Sequence, residues 1–150
     1  MIKFFDDKNL IIPLWHEAFG DSEEEILFFL KNCKHMKCLG YFDKDKLSSM
    51  LFLIDCKANN ESYKYIYAAC TYKNKRGRGD MSALLNYCKD EFNSVCLIPG
   101  DESLVDFYLK RGFNIKLDLN KIRFDESEEI KEYLFDGCSL EKPFILAYKF

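Results

Sequence analysis

Residues 63–92 limit the folding options of this chain more than any other stretch. An apolar run, YKYIYAACT, leads into KNKRGRGDM and then into SALLNYCKDEF. The first segment reads as a strand. The last carries, with the methionine before it, Met81, Leu84, Leu85, Cys88 and Phe92 at i, i+3, i+4, i+7 and i+11, which is one apolar stripe of a helix. Between the two, four cations and two glycines fall within nine residues. The chain as a whole has a net charge of -3, so this concentration of positive charge is local.

The other segments extend the same alternation. Residues 2–5 read as a short strand. Pro13 suits the first turn of a helix with Leu14, Ala18 and Phe19 on one face, and Gly20 ends it. Ser22 and Glu25 form a capping-box pattern for a second helix facing inward through Ile26, Phe29 and Leu30. Residues 37–42 and 47–55 are strand candidates joined by a polar turn, and 63–71 is a third. After the basic loop and its helix, 95–98 reads as a short buried strand stopped by Pro99-Gly100. Asp101 caps a helix through Arg111, with Gly112 in the C′ position. Residues 113–119 alternate as a strand, 125–135 form an extra helix, and 144–150 a last strand. The order predicts a mixed α/β fold.

At 150 residues, with 48% hydrophobic and 16% aromatic residues, the expectation is one globular domain over residues 1–150. A pI near 5.5 argues against general nucleic-acid binding. Seven cysteines, an odd number scattered through strands and helices, fit buried thiols in a reducing cytoplasm. The first residues, MIKFFDDKNL, lack the apolar core of a signal peptide, and no apolar run reaches membrane-spanning length.

The start of a helix presents unpaired N–H donors and a partial positive charge. Glycine lets an anion approach the backbone and accepts positive φ. Gly77 and Gly79, with Lys73, Lys75, Arg76 and Arg78 around them, therefore suit a phosphate or diphosphate cradle. A solvated charged turn accounts for the loop alone equally well. An RNA-contacting RGG-like segment fits less well, since the unit does not repeat. The dinucleotide pattern G-x-G-x-x-G is not met, because Ser82 stands where the third glycine belongs, and the P-loop pattern is absent.

A second landmark changes the balance. Arg76-Gly77-Arg78-Gly79 at a helix start, followed some thirty residues later by Phe107-Tyr108-Leu109-Lys110-Arg111-Gly112-Phe113, resembles the GNAT N-acetyltransferase superfamily. The resemblance spans residues 63–113, and LWHEAFGDSEEEILFFL is similar to the opening of a small bacterial subgroup. It implies the GNAT-type acyl-CoA N-acyltransferase fold, a central mixed, mostly antiparallel sheet flanked by helices. It also implies acetyl-CoA as donor and an amine as acceptor. The pantetheine arm would lie along Ala69, Cys70 and Thr71, and the diphosphate on the backbone N–H groups of Arg76, Gly77, Arg78, Gly79, Asp80, Met81 and Ser82. The chain departs from the pattern at Met81, where Gly or Ala is usual, at Asp80, a carboxylate beside the proposed anion, and at Asp101, where Asn is usual. Met81 serves if it contacts through its N–H and packs its side chain inward.

Acetyl transfer requires a neutral amine and an acid that protonates the departing thiolate. Tyr108 matches the family's acid position; its alternative is an aromatic on the apolar face with Leu104 and Phe107. No Asp or Glu occurs between residues 63 and 71, where many members carry a Glu. The proton then leaves through water, through another carboxylate, or before the amine binds; the terminal carboxylate of Phe150 is one candidate. A backbone N–H of Cys70 or Thr71 would stabilise the oxyanion. Cys70 itself reads as a packed residue, since the chemistry implied is direct attack.

Weaker constellations favour the plainer reading. Cys33, His35 and Cys38 in CKHMKC lack the further ligand of a closed zinc site, so no metal is expected. His16 reads as an ordinary helix residue. Asp21, Glu23, Glu24 and Glu25 suit a helix's first turn and, as a second reading, an electronegative entrance for a cationic amine. The helix from Asp125 is a candidate wall or lid. Two functional classes follow: an N-acetyltransferase acting on a small molecule or peptide amine, and a module that binds acyl-CoA without turnover. A purely structural protein with a charged turn is a third. A homodimer is left open; no membrane partner is expected.

Overall fold

The computed structural model describes residues 1–150 as eight strands and five helices. The strands are β1 (Ile2–Phe5), β2 (Met36–Asp43), β3 (Lys46–Ala58), β4 (Glu61–Thr71), β5 (Ser94–Leu97), β6 (Ile115–Leu117), β7 (Ile122–Phe124) and β8 (Ile145–Lys149). The helices are α1 (Lys8–Phe19), α2 (Glu23–Asn32), α3 (Asp80–Phe92), α4 (Glu102–Leu109) and α5 (Glu128–Phe135). The strands form one open sheet in the order β1-β2-β3-β4-β5-β8-β6, with β7 pairing the far end of β3. Every pair is antiparallel except β4–β5. The mixed α/β class and the mostly antiparallel sheet flanked by helices are therefore as the sequence predicts.

Two tight turns set the meander β2-β3-β4. Lys44 and Asp45 both have positive φ, as do Asn59 and Asn60, the backbone twist that matches adjacent antiparallel strands. Because β3 and β4 are covered on both faces, their sequences run apolar almost continuously. Met50, Phe52 and Ile54 enter one core with Trp15 and Phe29 of α1 and α2. Leu51 and Leu53 enter the other with Leu84, Leu85 and Cys88 of α3.

Several boundaries differ from the sequence reading, each for a local reason. Helix α1 begins before Pro13, because the Asp7 side chain caps it by accepting the Asn9 N–H at 2.9 Å. Pro13 sits inside the helix, where it removes a backbone bond. Ile11, Leu14 and Trp15, at most 2% exposed, anchor the helix regardless. Helix α4 stops at Leu109 rather than Arg111, and Gly112 turns the chain with φ 93°. The expected strand at 113–119 shrinks to β6, because a 3-10 turn at Leu119–Lys121 redirects the chain. That turn starts β7, which the sequence reading missed; three residues give too short a period to see. Residues 125–127 precede α5 instead of belonging to it, with Ser127 as the cap.

The CKHMKC segment is divided among unrelated tasks. Cys33 and Cys38 are buried in the first core. The Glu126 carboxylate accepts the Lys34 and His35 backbone N–H groups at 2.8 and 2.9 Å. His35 Nε2 meets Asp125 at 3.1 Å on the surface.

Candidate active site

The one parallel pairing shapes the site. β4 and β5 align only at Lys64–Val95 and Tyr65–Cys96. Beyond Tyr65, β4 carries a bulge: the register shifts between Met50 and Phe52 of β3, and Ala68 has φ 53°. A bulge bends and twists its strand, and Pro99-Gly100 ends β5 just past the pairing. The two strands part, and a cavity of about 430 Å³ opens where they separate. Ala69 and Tyr67 line it from β4, Leu97 from the end of β5 and Ile98 just past it, and Tyr108 from α4. Cys70 and Thr71 continue along β4 toward the basic loop; the Thr71 hydroxyl lies 2.8 Å from that of Ser49.

The loop itself runs through a 3-10 turn, Lys73–Lys75, to Gly77 (φ 80°) and Gly79 (φ 83°). Both conformations are left-handed, which glycine adopts without steric cost. A Cβ added at either would meet nothing within 4 Å. It is therefore the backbone angle, not crowding, that calls for glycine, and the space beside each is open to a ligand. Gly79 is the N-cap of α3 and no side chain caps that helix. The other four helices are each capped by a side chain: Asp7, Ser22, Asp101 and Ser127. The start of α3 thus keeps its donors and its positive dipole end for something else.

The cations of this loop are not equivalent. Arg76 is exposed and free of ion pairs, whereas Arg78 reaches Asp43 at 3.5 Å and Asp80 at 3.3 Å. Asp80 does not stand on the outer surface of the loop. It is 6% exposed and accepts the hydroxyl of fully buried Ser48 at 2.7 Å. Met81 packs its side chain against the second core, which leaves only its backbone for the loop. Ser82 Oγ accepts from Arg111 Nε at 2.9 Å. The sequence reading passed over Arg111, although it lies inside the FYLKRGF motif.

Tyr108 is 7% exposed. Burial pushes its hydroxyl up to about 12, with Arg111 lowering it and Asp101 raising it. It holds its proton throughout the neutral range. Cys70 is 8% exposed, and burial drives its thiol well upward despite nearby Arg76. A thiol so disfavoured as thiolate is a packing group rather than a nucleophile.

Across from α4, the cavity is lined by Trp15, Asp21, Leu134, Asp136 and Cys138. Trp15 Nε1 donates to Asp21 Oδ2 at 2.9 Å, fixing that carboxylate at the α1–α2 turn. Asp21 and Asp136 both raise the Tyr67 phenol, after burial itself. No Lys or Arg lines the cavity. The wall beyond α5 is fastened down: Tyr65 donates to Leu134 O at 2.7 Å, and Ser139 N–H to Gly100 O at 2.8 Å. Glu25 closes the capping box of α2 with Ser22, and His16 Nδ1 meets Asp21 O at 2.9 Å. Phe150 lies elsewhere, since its N–H donates to Asn93 O before the start of β5, at the end opposite the opening. A second, larger hollow of about 590 Å³ lies by β1 and α1. Phe4, Phe5, Ile11, Leu30 and Met36 make it apolar, and neither the basic loop nor Tyr108 contributes to it.

Known proteins agree with this architecture. No curated protein matches the chain in sequence. An acetyltransferase from Bacillus subtilis in complex with CoA superposes with a TM-score of 0.63 at 15% identity, over 99% of this chain and 97% of that one. A GNAT family acetyltransferase from Elizabethkingia anophelis with acetyl-CoA bound gives 0.62 at 12% identity, over 100% and 97%. A glucosamine N-acetyltransferase region within a fungal multi-domain β-N-acetylglucosaminidase gives 0.58 at 16% identity over 75% of this chain, which spans only 16% of that protein. At these identities the likeness is one of fold. The family model described as an acetyltransferase (GNAT) domain matches residues 6–116, nearly three quarters of the sequence. The chain belongs to the GNAT acetyltransferase family.

Proposed function

We propose that the protein is an N-acetyltransferase that moves an acetyl group from acetyl-CoA to a primary amine by direct attack. The observation that carries this reading is the uncapped start of α3, set behind two left-handed glycines at the mouth of the β4–β5 opening. Residues 1–150 act as one such domain. The donor's diphosphate rests on the N–H groups from Arg76 to Ser82. Its pantetheine arm follows Ala69, Cys70 and Thr71, where β4 has left β5 and its facing edge has no strand partner. That placement brings the thioester to the cavity between β4 and Tyr108. The relatives solved with CoA and acetyl-CoA support the same donor here.

The chemistry follows from the groups around the cavity. The amine nitrogen, having lost its proton, attacks the thioester carbonyl carbon, and the oxygen gains negative charge. A β4 backbone N–H at Cys70 or Thr71 stabilises that oxyanion. The C–S bond then breaks, and the thiolate takes the Tyr108 hydroxyl proton, which solvent later restores. A buried phenol titrating near 12 is in the right form to give a proton at every pH where the amine is active. After attack the nitrogen carries a positive charge and gives its second proton to water, since no carboxylate stands on β4 between residues 63 and 71. Asp21 and Asp136, in a cavity lined by no cation, favour an acceptor that arrives as an ammonium. Seven free cysteines fit a cytoplasmic location, and no helix is long and apolar enough to cross a membrane.

The missing β4 carboxylate favours a second reading, a module that holds acyl-CoA without turnover. The two separate in one experiment. Acetyl-CoA, but not NAD or ATP, raises the unfolding temperature under either reading. Release of free thiol that depends on an added amine occurs only under the first. Absence of any shift with acetyl-CoA would overturn both.

A further inference from the structure

Arg111 is a half-buried cation with an unusual set of partners. Its Nε–H donates to Ser82 Oγ on the first turn of α3, and one Nη1–H donates to Phe107 O at 2.9 Å. Its guanidinium stacks on the Phe107 ring, 3.6 Å from the centroid. The Arg111 carbonyl is held in turn by Lys89 Nζ of α3, at 2.6 Å. The side chain is thus fixed in position on three sides. It nevertheless takes part in none of the six ion pairs of the chain. A guanidinium carries five N–H donors, and the chain uses two of them.

The Ser82 bond has a consequence for the hydroxyl. Because Ser82 Oγ accepts from Arg111, its own proton is left to donate elsewhere. That hydroxyl belongs to the uncapped turn of α3, next to the backbone N–H groups of Asp80, Met81 and Ser82. Arg78, the loop cation nearest in sequence, already faces Asp43 and Asp80. The unpaired, immobilised positive charge at this helix start comes instead from the turn that follows α4.

We propose that Arg111 is a phosphate-binding residue of the donor site: it orients the Ser82 hydroxyl and offers its free N–H groups to a phosphate of acetyl-CoA at the start of α3. The inference rests on acetyl-CoA being the donor and adds a link to that reading. Arg111 follows Tyr108 by three residues, so a donor phosphate bound there also fixes the helix turn that carries the acid. Binding of the cofactor's remote end and placement of the proton donor are then joined through one side chain.

The test uses three donors with the intact protein: acetyl-CoA, its 3′-dephospho form, and acetyl-pantetheine, which has the thioester but no phosphate. Arg111→Met should raise KM for acetyl-CoA about 10- to 100-fold, the range expected for lost charge-assisted hydrogen bonds. It should leave KM for acetyl-pantetheine within a factor of about 3. Arg111→Lys keeps the charge but not the fork, and should recover part of the loss. If the dephospho form shows the same loss, the diphosphate is the partner; if it shows none, the 3′-phosphate is, and either result supports the proposal. An equal loss with acetyl-pantetheine would mean that Arg111 only supports α4, and would overturn it. So would an unchanged KM for acetyl-CoA. If the unaltered protein neither binds acetyl-CoA nor prefers it to acetyl-pantetheine, the donor reading itself fails, which is a different result from failure of the Arg111 variants alone.

Discussion

Helices α3 and α4 flank the same opening and begin in opposite ways. At α4, Asp101 accepts the Leu104 N–H at 2.9 Å and the Ser103 hydroxyl at 2.7 Å, so the helix closes its own end. At α3 the capping position is a left-handed glycine with no side chain to offer. A closed end rigidifies its helix, and the helix closed here carries Tyr108. An open end leaves backbone donors for an anion. Under the proposed function the difference teaches a division of labour, with α4 presenting the proton and α3 binding charge, and a change in one should not reproduce a change in the other.

The largest expected effect is on the chemical side. Tyr108→Phe removes the proposed proton donor while keeping the ring that packs against Phe107 and Phe113. Amine-dependent thiol release at saturating donor should fall about 10²- to 10⁴-fold, with acetyl-CoA affinity by calorimetry nearly unchanged. Because the phenol titrates near 12, the unaltered protein should gain rate as the amine deprotonates, with no alkaline fall due to Tyr108 below that region. Turnover preserved in the Phe variant at every pH would remove α4 from the chemistry and collapse the comparison.

The next effect probes how an uncapped helix start is held at all. Asp80 turns inward to Ser48 rather than outward, so α3 is anchored from beneath. Ser48→Ala leaves that buried carboxylate with Arg78 alone. It should lower stability by about 1–3 kcal/mol, the cost of an unsatisfied buried group, measured by urea unfolding. Donor affinity should weaken with it, as the first turn loosens. A Ser48→Ala protein of full stability would show that the glycine loop holds its shape without the anchor.

These anchors also separate what was legible in the sequence from what was not. The proposed donor side is contiguous: residues 76–82 carry their glycines, cations and helix start in one run, and a helix stripe marks where the run ends. The Ser22/Glu25 capping box and the polar turn between β2 and β3 were readable for the same reason, each being complete within four residues. The proposed acceptor side is built from the α1–α2 turn, β4 and the segment after α5. Asp21 and Asp136 lie 115 residues apart in the chain, and only the sheet topology brings both to Tyr67. Arg111 was hidden differently, within a motif already assigned to Tyr108, because its role depends on Ser82 across a helix interface. Pro13 misled because burial of Trp15 and Leu14 outweighs one lost backbone bond.

A smaller effect belongs to the open end. Gly79→Ala adds a Cβ into free space, so no clash arises, but the φ of 83° costs an L-residue about 1–2 kcal/mol. The loop relaxes away from the left-handed angle and the amides lose their common direction. KM for acetyl-CoA should rise roughly 10-fold, the equivalent of that strain, while kcat at saturation stays within about 2-fold. A change confined to kcat would mean that α3 acts in the chemical step, contrary to the division proposed.

The smallest effect concerns the closed end, and it carries a pH signature. Asp101→Ala removes the α4 cap and should lower the unfolding temperature by a few degrees at neutral pH. The Asp101 carboxyl titrates below its ordinary 3.8, because the Ser103 hydroxyl and then the Leu104 N–H donate to its charged form. Folded chain therefore binds fewer protons there than unfolded chain does. Its contribution is present above about pH 4 and is lost as pH falls through the lowered folded value. The temperature gap between the two proteins should accordingly narrow below that range, while donor affinity at neutral pH is the same for both. A gap that persists unchanged in acid would assign the loss to packing of α4 rather than to its cap. A drop in donor affinity would tie the start of α4 to the binding site and erase the contrast with α3.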